Sequence, residues 1–102
     1  MNEHTDAQES PVLQKLIEDL QAAQRTWSDH MRQNGDDFDP DCPIWDACEK
    51  AHRALLAYPC RLASEVRMKV RFYLWNDDSR EFMSERDEIK VFLRSLVMVE
   101  RS

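Results

Sequence analysis

The sequence NGDDFDPD at residues 34–41 decides the fold class, because it contains Gly35, the only glycine among 102 residues. A β protein needs glycine in its hairpin turns, and an α/β phosphate site needs it where the backbone approaches the ligand closely. The prolines lie at the edges of apolar-periodic segments, at Pro11, Pro40, Pro43 and Pro59. We therefore predict an all-α protein with no phosphate loop and no dinucleotide-binding motif.

Apolar residues recur at the helical period on both sides of this break. In the first segment the stripe consists of Val12, Leu16, Leu20, Ala23, Trp27 and Met31, widened by Leu13 and Ile17. Similar stripes predict four helices, at about residues 12–33, 43–57, 62–75 and 79–99. Because short connections favour antiparallel neighbours, we predict a four-helix antiparallel bundle or an extended helical hairpin. It occupies one domain at residues 10–102, after a disordered tail at residues 1–9.

Capping residues predict where the helices begin and end. Ser10 and Pro11 suit the N-cap and the first helical position, and Gly35 suits a left-handed C-cap. The start of the fourth helix stays open, since Asp78 with Glu81 and Ser84 with Asp87 both have the capping-box spacing. The residues at the centres of the stripes are predicted to be core or interface residues: Leu20, Trp27, Val66, Val70, Ile89 and Leu96.

The composition argues against a general nucleic-acid or membrane binder. The 14 Lys and Arg residues are outnumbered by 20 Asp and Glu residues, which gives a net charge of −6, whereas both kinds of partner attract basic surfaces. No stretch approaches the ~20 apolar residues of a membrane span, and the first ten residues lack the apolar core of a secretory signal. We expect a cytoplasmic protein whose three cysteines are partly buried thiols.

The metal-binding and catalytic patterns are incomplete. Cys42, Cys48, His52 and Cys60 are the plausible soft-metal ligands, but their five, three and seven intervening residues differ from the paired spacing of structural zinc sites. Asp37, Asp39 and Asp41 alternate as in a calcium loop, but Cys42 and Cys48 replace its glycine and glutamate. Cys48 and His52 lack a third, orienting group. We expect no metal, no cofactor, no catalytic residue and no enzymatic activity.

Charge is distributed unevenly, and this points to candidate partner-binding residues. Residues 50–71 carry a local charge of +5, whereas residues 36–49 carry six acids and no base, and residues 77–88 carry −4. The predicted partner-binding residues are Arg61, Arg67, Lys69, Arg71 and Trp75 in the basic segment and Asp36, Asp37, Asp39 and Asp41 in the acidic one. The same charges could instead pair with one another inside a single bundle.

The chain carries more apolar surface than one small core can bury. The third helix is apolar on two sides, and Leu96, Val97, Met98 and Val99 follow one another without a break. We therefore predict a homodimer or higher oligomer, in which an acidic segment of one copy docks on the basic segment of another. The alternative is that the long first helix covers these surfaces within one chain.

The stretch WDACEKAHRALLAYPCRLASEVRMK at residues 45–69 combines an alanine-rich helix, a short proline-containing turn and a second helix with an early lysine. In this it resembles small uncharacterised helical proteins of alphaproteobacteria and their prophages. Such proteins often have threonine after the proline, where this chain has Cys60. The resemblance implies a bacterial or phage origin and assigns no activity and no functional residue.

Three classes of function follow from the sequence. The first is an adaptor or self-associating module that acts by protein–protein interaction with an unidentified protein partner. The second is an inhibitor encoded by a phage or mobile element, whose acidic surface blocks a basic, nucleic-acid-binding site on a host protein. The third is a regulator that contacts nucleic acid through the basic helix at residues 62–75, which the net negative charge makes the weakest of the three.

Overall fold

The computed structural model describes residues 10–35 and 42–97. These ranges contain five helices and no strand: α1 Pro11–Asn34, α2 Pro43–Ala57, α3 Ala63–Trp75, α4 Asp77–Glu85 and α5 Ile89–Leu96. The all-α prediction is thus confirmed for the described residues, and the first three helices begin and end within about a residue of their predicted bounds. Two predictions, the tail at residues 1–9 and the acidic connection, lie outside the described residues. No described helix combines the length and the apolar character needed to cross a lipid bilayer.

The ends of α1 fall at the predicted residues, although the Ser10 side chain forms no cap hydrogen bond. Ser10 is the N-cap, and its carbonyl accepts a hydrogen bond from Gln14 N at 3.0 Å. Gly35 follows the last residue of α1 with φ +72° and ψ −150°, which is not the predicted left-handed helical conformation but a region that is open almost only to glycine. The single glycine is therefore placed where the chain must leave a 24-residue helix.

The predicted fourth helix is wrong, because it is broken into α4 and α5. Arg86, Asp87 and Glu88 follow α4 in a Schellman turn, in which Glu88 N donates to Met83 O at 2.9 Å and Asp87 N donates to Ser84 O at 3.2 Å. Asp87 has φ +55°, so an aspartate occupies the left-handed position that glycine usually fills. Apolar periodicity continues through this turn, and for that reason the sequence pattern reads as one helix.

The start of α4 also differs from both predicted capping boxes. Asn76 is the N-cap, and its Oδ1 accepts a hydrogen bond from Ser79 N at 3.0 Å. The same amide pairs with Gln24 of α1, with hydrogen bonds of 3.1 and 3.0 Å in the two directions. This pairing fixes the α3–α4 junction against the middle of α1.

The core lies between α1 and α2, with α3 packed against it. Its buried side chains are Leu13, Ile17, Leu20, Leu55, Leu56, Phe72 and Tyr73. Leu20 is fully buried, as predicted, but Val12 is 59% exposed, so the buried face of α1 is centred on the residues assigned to its margin. Ile89 is 45% exposed, so it is not part of the core of the single chain, and its alternative place at an interface stays a prediction. Trp27, Val66, Val70 and Leu96 are half-buried.

A buried carboxylate of α3 closes the turn that leads into this helix. Glu65 is 4% exposed and accepts hydrogen bonds from Tyr58 Oη at 2.6 Å, Arg61 N at 2.6 Å and Leu62 N at 3.3 Å. Burial raises the pKa of Glu65, but these donors outweigh it and hold the pKa below its usual value. The N-terminus of α3 is thus capped by a side chain of its own first turn.

Lys69, one turn further along α3, binds the other side of the same turn. Its side chain is fully buried, and Nζ donates to Leu56 O at 2.8 Å, Tyr58 O at 2.9 Å and Ser95 Oγ at 2.8 Å. Burial lowers the pKa of Lys69 to about 8, so the ammonium form still predominates at neutral pH. One charge therefore joins the end of α2, the turn and α5.

Shortening the buried Leu20 side chain tests whether α1 packs against the core. Leu20→Ala should lower the free energy of unfolding by about 2–5 kcal/mol, because Leu20 is 0% exposed and its loss leaves a cavity. Val12→Ala, on the same helix but 59% exposed, is the matched control and should change stability by less than about 0.5 kcal/mol. Urea denaturation followed by circular dichroism measures both, and equal effects would contradict the packing described above.

Asp87→Gly tests the Schellman turn between α4 and α5. We expect this substitution to stabilise the protein by about 0.5–1 kcal/mol, because glycine adopts positive φ without the steric cost that an aspartate bears. Ser84→Gly is the control, since Ser84 lies within α4, where glycine should destabilise by about 1 kcal/mol. Opposite signs in thermal denaturation support the turn, whereas a loss of stability in both variants would refute it.

Candidate functional site

The predicted basic surface is present on α3, although it is smaller than the sequence indicated. Arg67, Arg71 and Trp75 follow one another at four-residue steps and share one exposed face of the helix. Arg61 lies in the turn before α3 and is also exposed. Leu74, next to Trp75, is 62% exposed. The α3 face therefore combines arginines with two large apolar side chains.

Lys69 does not belong to this surface, which corrects its predicted place among the partner-binding residues. It is 0% exposed and its three hydrogen bonds are made inside the protein. The sequence suggested otherwise because lysine is rarely buried, and nothing in the spacing of residues 61–71 separates Lys69 from its basic neighbours. The predicted acidic counterparts Asp36, Asp37, Asp39 and Asp41 lie outside the described residues.

Trp75 and Arg71 border a groove between α1 and α3, with a volume of about 280 Å³. Its floor is apolar, because Ile17 and Phe72 are buried there and Met68 is half-buried. Trp75 itself is 84% exposed. We call this feature the α1–α3 groove. Sequence reasoning identified its two edge residues on α3 but not the contribution of α1.

A second concavity, of about 370 Å³, lies between the end of α1, the start of α2 and α4. We call it the tryptophan pocket, because Trp27 of α1 and Trp45 of α2 both line it, with ring centroids 4.9 Å apart. Met31 and Phe82 add further apolar surface. Sequence analysis missed this pocket, although an indole near the end of one helix and another near the start of the next was a signal for it.

One wall of the tryptophan pocket is built from flat, stacked groups. The imidazole of His52 lies parallel to the ring of Phe82, with centroids 4.2 Å apart and an interplanar angle of 7°. On the same phenyl ring the guanidinium of Arg86 lies 4.2 Å from the centroid, and it is 5.6 Å from the ring of Trp45. Arg86 also forms ion pairs with Glu49 at 3.5 Å and Glu85 at 3.6 Å. The stack thus ends in a charged group held by two carboxylates.

The rim of the tryptophan pocket is acidic. Asp78, Glu81 and Glu85 follow each other at steps of three and four on α4, so they share one face, and all three are exposed. Among the described residues, Asp78 and Glu81 form no ion pair. The part of the acidic charge at residues 77–88 that borders the pocket is therefore concentrated on one side of a short helix.

The thiol and imidazole that line the tryptophan pocket are both held in their neutral forms. Burial, with a smaller effect from Arg86, lowers the pKa of His52 to about 4. Burial, together with Asp78 and Glu49, raises the pKa of the Cys48 thiol. His52 Nδ1 is buried without a hydrogen-bond partner among the described residues. This pair is thus poorly placed for nucleophilic chemistry at neutral pH, which needs a thiolate.

The possible metal ligands are separated in the fold. Cys42 Sγ lies 3.6 Å from His30 Nε2, whereas Cys60 lies in the turn beyond α2, where its backbone N donates to Ser95 O at 2.8 Å. Within residues 10–35 and 42–97, no three His, Cys, Asp or Glu side chains converge in a way that could hold a metal ion.

Comparison of the chain with protein-family models, with curated proteins and with solved structures finds no match. The function of the two concavities is therefore inferred from their own geometry.

The buried imidazole makes stability depend on pH. Because the pKa of His52 falls from 6.5 in the unfolded chain to about 4 in the folded protein, the unfolded chain binds more protons between these values. Stability should therefore decrease as the pH falls through this window, by about 1–2 kcal/mol between pH 6.5 and pH 5. His52→Leu should lose this decrease, whatever its absolute stability. Urea denaturation at both pH values measures it, and an unchanged slope in the variant would contradict a buried neutral His52.

Proposed function

We propose that the protein is a small, non-catalytic interaction module that self-associates through the exposed face of α3 and the adjoining α1–α3 groove. The observation that carries this proposal is Trp75, which is 84% exposed beside a groove with an apolar floor. Tryptophan and arginine are the residues that most often dominate binding energy at protein interfaces. A folded monomer gains nothing from leaving an indole in water at such a place.

Further apolar surface supports an oligomer over an isolated chain. Leu74 is 62% exposed, and α5 leaves Ile89, Val91 and Leu93 between 40% and 56% exposed. Patches of exposed large apolar side chains on soluble proteins usually mark interaction sites. Arg71 makes no ion pair among the described residues, so it is available to a carboxylate of a second copy, in keeping with the docking of an acidic segment on the basic segment of α3.

The absence of catalysis is part of the same proposal. It is supported by the neutral, buried state of the Cys48 thiol and the His52 imidazole. The remaining carboxylates of the tryptophan pocket, those of Asp78, Glu81 and Glu85, lie on exposed residues at its rim, where they are better placed to bind a partner than to transfer a proton inside a closed site.

The second candidate is an inhibitor from a phage or mobile element that covers a basic site on a host protein. It is favoured by one observation, namely that Asp78, Glu81 and Glu85 share one exposed face of α4. A contiguous acidic face of this kind can imitate the charge of a nucleic-acid backbone. A direct nucleic-acid contact through α3 is less favoured, because the Lys69 charge is buried and the whole chain carries −6.

Sedimentation equilibrium of the full chain tests self-association. We expect wild-type protein at micromolar concentration to show a mass above the 12.1 kDa of one chain. Trp75→Ala should weaken association by at least about tenfold, as truncation of an interface tryptophan commonly does. Val12→Ala, which removes an exposed apolar side chain from a different face, is the control and should associate like wild type.

Circular dichroism must first show that the variants are folded. We expect Trp75→Ala to fold, because Trp75 is exposed and contributes little to the core. A single 12.1 kDa species for wild-type protein would refute self-association and leave the α3 face to a different protein. Association that is unaffected by Trp75→Ala would show that copies meet elsewhere.

A further inference from the structure

We propose that the tryptophan pocket is a binding site for an arginine side chain presented by a basic segment of a protein partner. This inference extends the proposed role in protein interaction to a second surface. The lining residues of the tryptophan pocket and of the α1–α3 groove have no member in common. A chain could therefore self-associate through α3 and still hold a different partner at α4.

Charge selects a cation as the occupant. The rim carries three carboxylates, from Asp78, Glu81 and Glu85, and one guanidinium, from Arg86. Arg86 is already paired with Glu49 and Glu85, at 3.5 and 3.6 Å. This leaves Asp78 and Glu81 without an ion pair among the described residues. An incoming anion would be repelled by those two carboxylates, whereas an incoming cation would form ion pairs with them.

The walls favour a flat cation with an apolar stem. Trp27, Trp45 and Met31 line the same cavity as the carboxylates and supply aromatic and thioether surface. A guanidinium is planar, weakly hydrated, packs well on aromatic surface and binds carboxylates through two parallel hydrogen bonds. An ammonium is compact and strongly hydrated, and it loses more by leaving water. The pocket therefore discriminates in favour of arginine over lysine.

Arg86 provides an example of this recognition within the same pocket. Its guanidinium lies 4.2 Å from the centroid of Phe82 while two carboxylates neutralise it. The open volume of about 370 Å³ beside it is within the size range of small-ligand sites. The neutral state of His52, whose pKa is about 4, means that the imidazole adds no positive charge that would repel an arginine at neutral pH.

Peptide binding tests the proposal with the full-length chain. The probes are fluorescein-labelled peptides of the sequence GSRGRSG, the matched peptide with lysine in place of arginine, and the peptide with uncharged citrulline. Fluorescence anisotropy should show the arginine peptide binding at least tenfold more tightly than the lysine peptide, with no binding of the citrulline peptide. Equal affinity for the arginine and lysine peptides would show that binding depends on net charge alone, and this would overturn the proposal. The proposal would also be overturned if none of the three peptides bound.

Matched variants separate the pocket from the general acidity of the protein. Asp78→Asn and Glu81→Gln should each weaken binding of the arginine peptide by about tenfold. Glu18→Gln removes the same charge from an exposed position on α1 and should change affinity by less than twofold. Equal losses in all three variants would overturn the proposal.

The three indole N–H signals in a nitrogen–proton NMR spectrum locate the peptide directly. On addition of the arginine peptide, the signals of Trp27 and Trp45 should shift while that of Trp75 stays in place, each being assigned by a Trp→Phe variant. A shift of Trp75 alone would place the peptide on α3 and overturn the proposal. The Trp75→Ala variant, whose self-association is expected to be weakened, should still bind the arginine peptide, so failure of this inference and failure of self-association are distinguishable.

Discussion

The buried ammonium of Lys69 is the interaction on which the arrangement of the helices depends. It satisfies Leu56 O in the last turn of α2, Tyr58 O in the following turn and Ser95 Oγ in α5. A helix C-terminus carries unpaired carbonyls and partial negative charge, so a cation is favourable there. Removing the amine while leaving its three acceptors buried would leave them unsatisfied, each at a cost of about 1–3 kcal/mol. A helix of eight residues such as α5 is not stable alone, and this contact attaches it.

Glu65 and Lys69 both form hydrogen bonds with the backbone of the turn between α2 and α3. The direction of α3 is therefore set by polar groups and not by apolar contact alone. Glu65 accepts hydrogen bonds from Arg61 N and Leu62 N, and Lys69 donates to Tyr58 O. The apolar side chains of α3 can then lie on two sides of the helix, one facing the core and one facing outwards. Phe72 and Tyr73 are buried in the core, whereas Leu74 and Trp75 are left exposed.

The helices could be predicted from sequence because helical periodicity and chain breaks are local properties. Gly35 marks the end of α1 in both the sequence and the structure. The break at Asp87 could not be predicted, because an aspartate adopts left-handed geometry there and the apolar pattern does not change. The burial of Lys69 and the tryptophan pocket were also not predicted from the sequence, because each depends on residues that the fold brings together from separate helices. Net charge predicted an acidic protein but not that Asp78, Glu81 and Glu85 line a cavity.

The proposed role of an interaction module fits a chain that presents two surfaces of different chemistry. On α3, Arg71 borders an apolar groove, and on α4, carboxylates border an aromatic pocket. Gln24 of α1 and Asn76, at the junction of α3 and α4, hold these surfaces in a fixed relation through a pair of amide hydrogen bonds. Because the lining residues of the two surfaces do not overlap, occupation of the α1–α3 groove in the proposed oligomer would leave the carboxylates of the tryptophan pocket accessible to a second partner. Each bound partner would then raise the effective concentration of the other at the neighbouring surface.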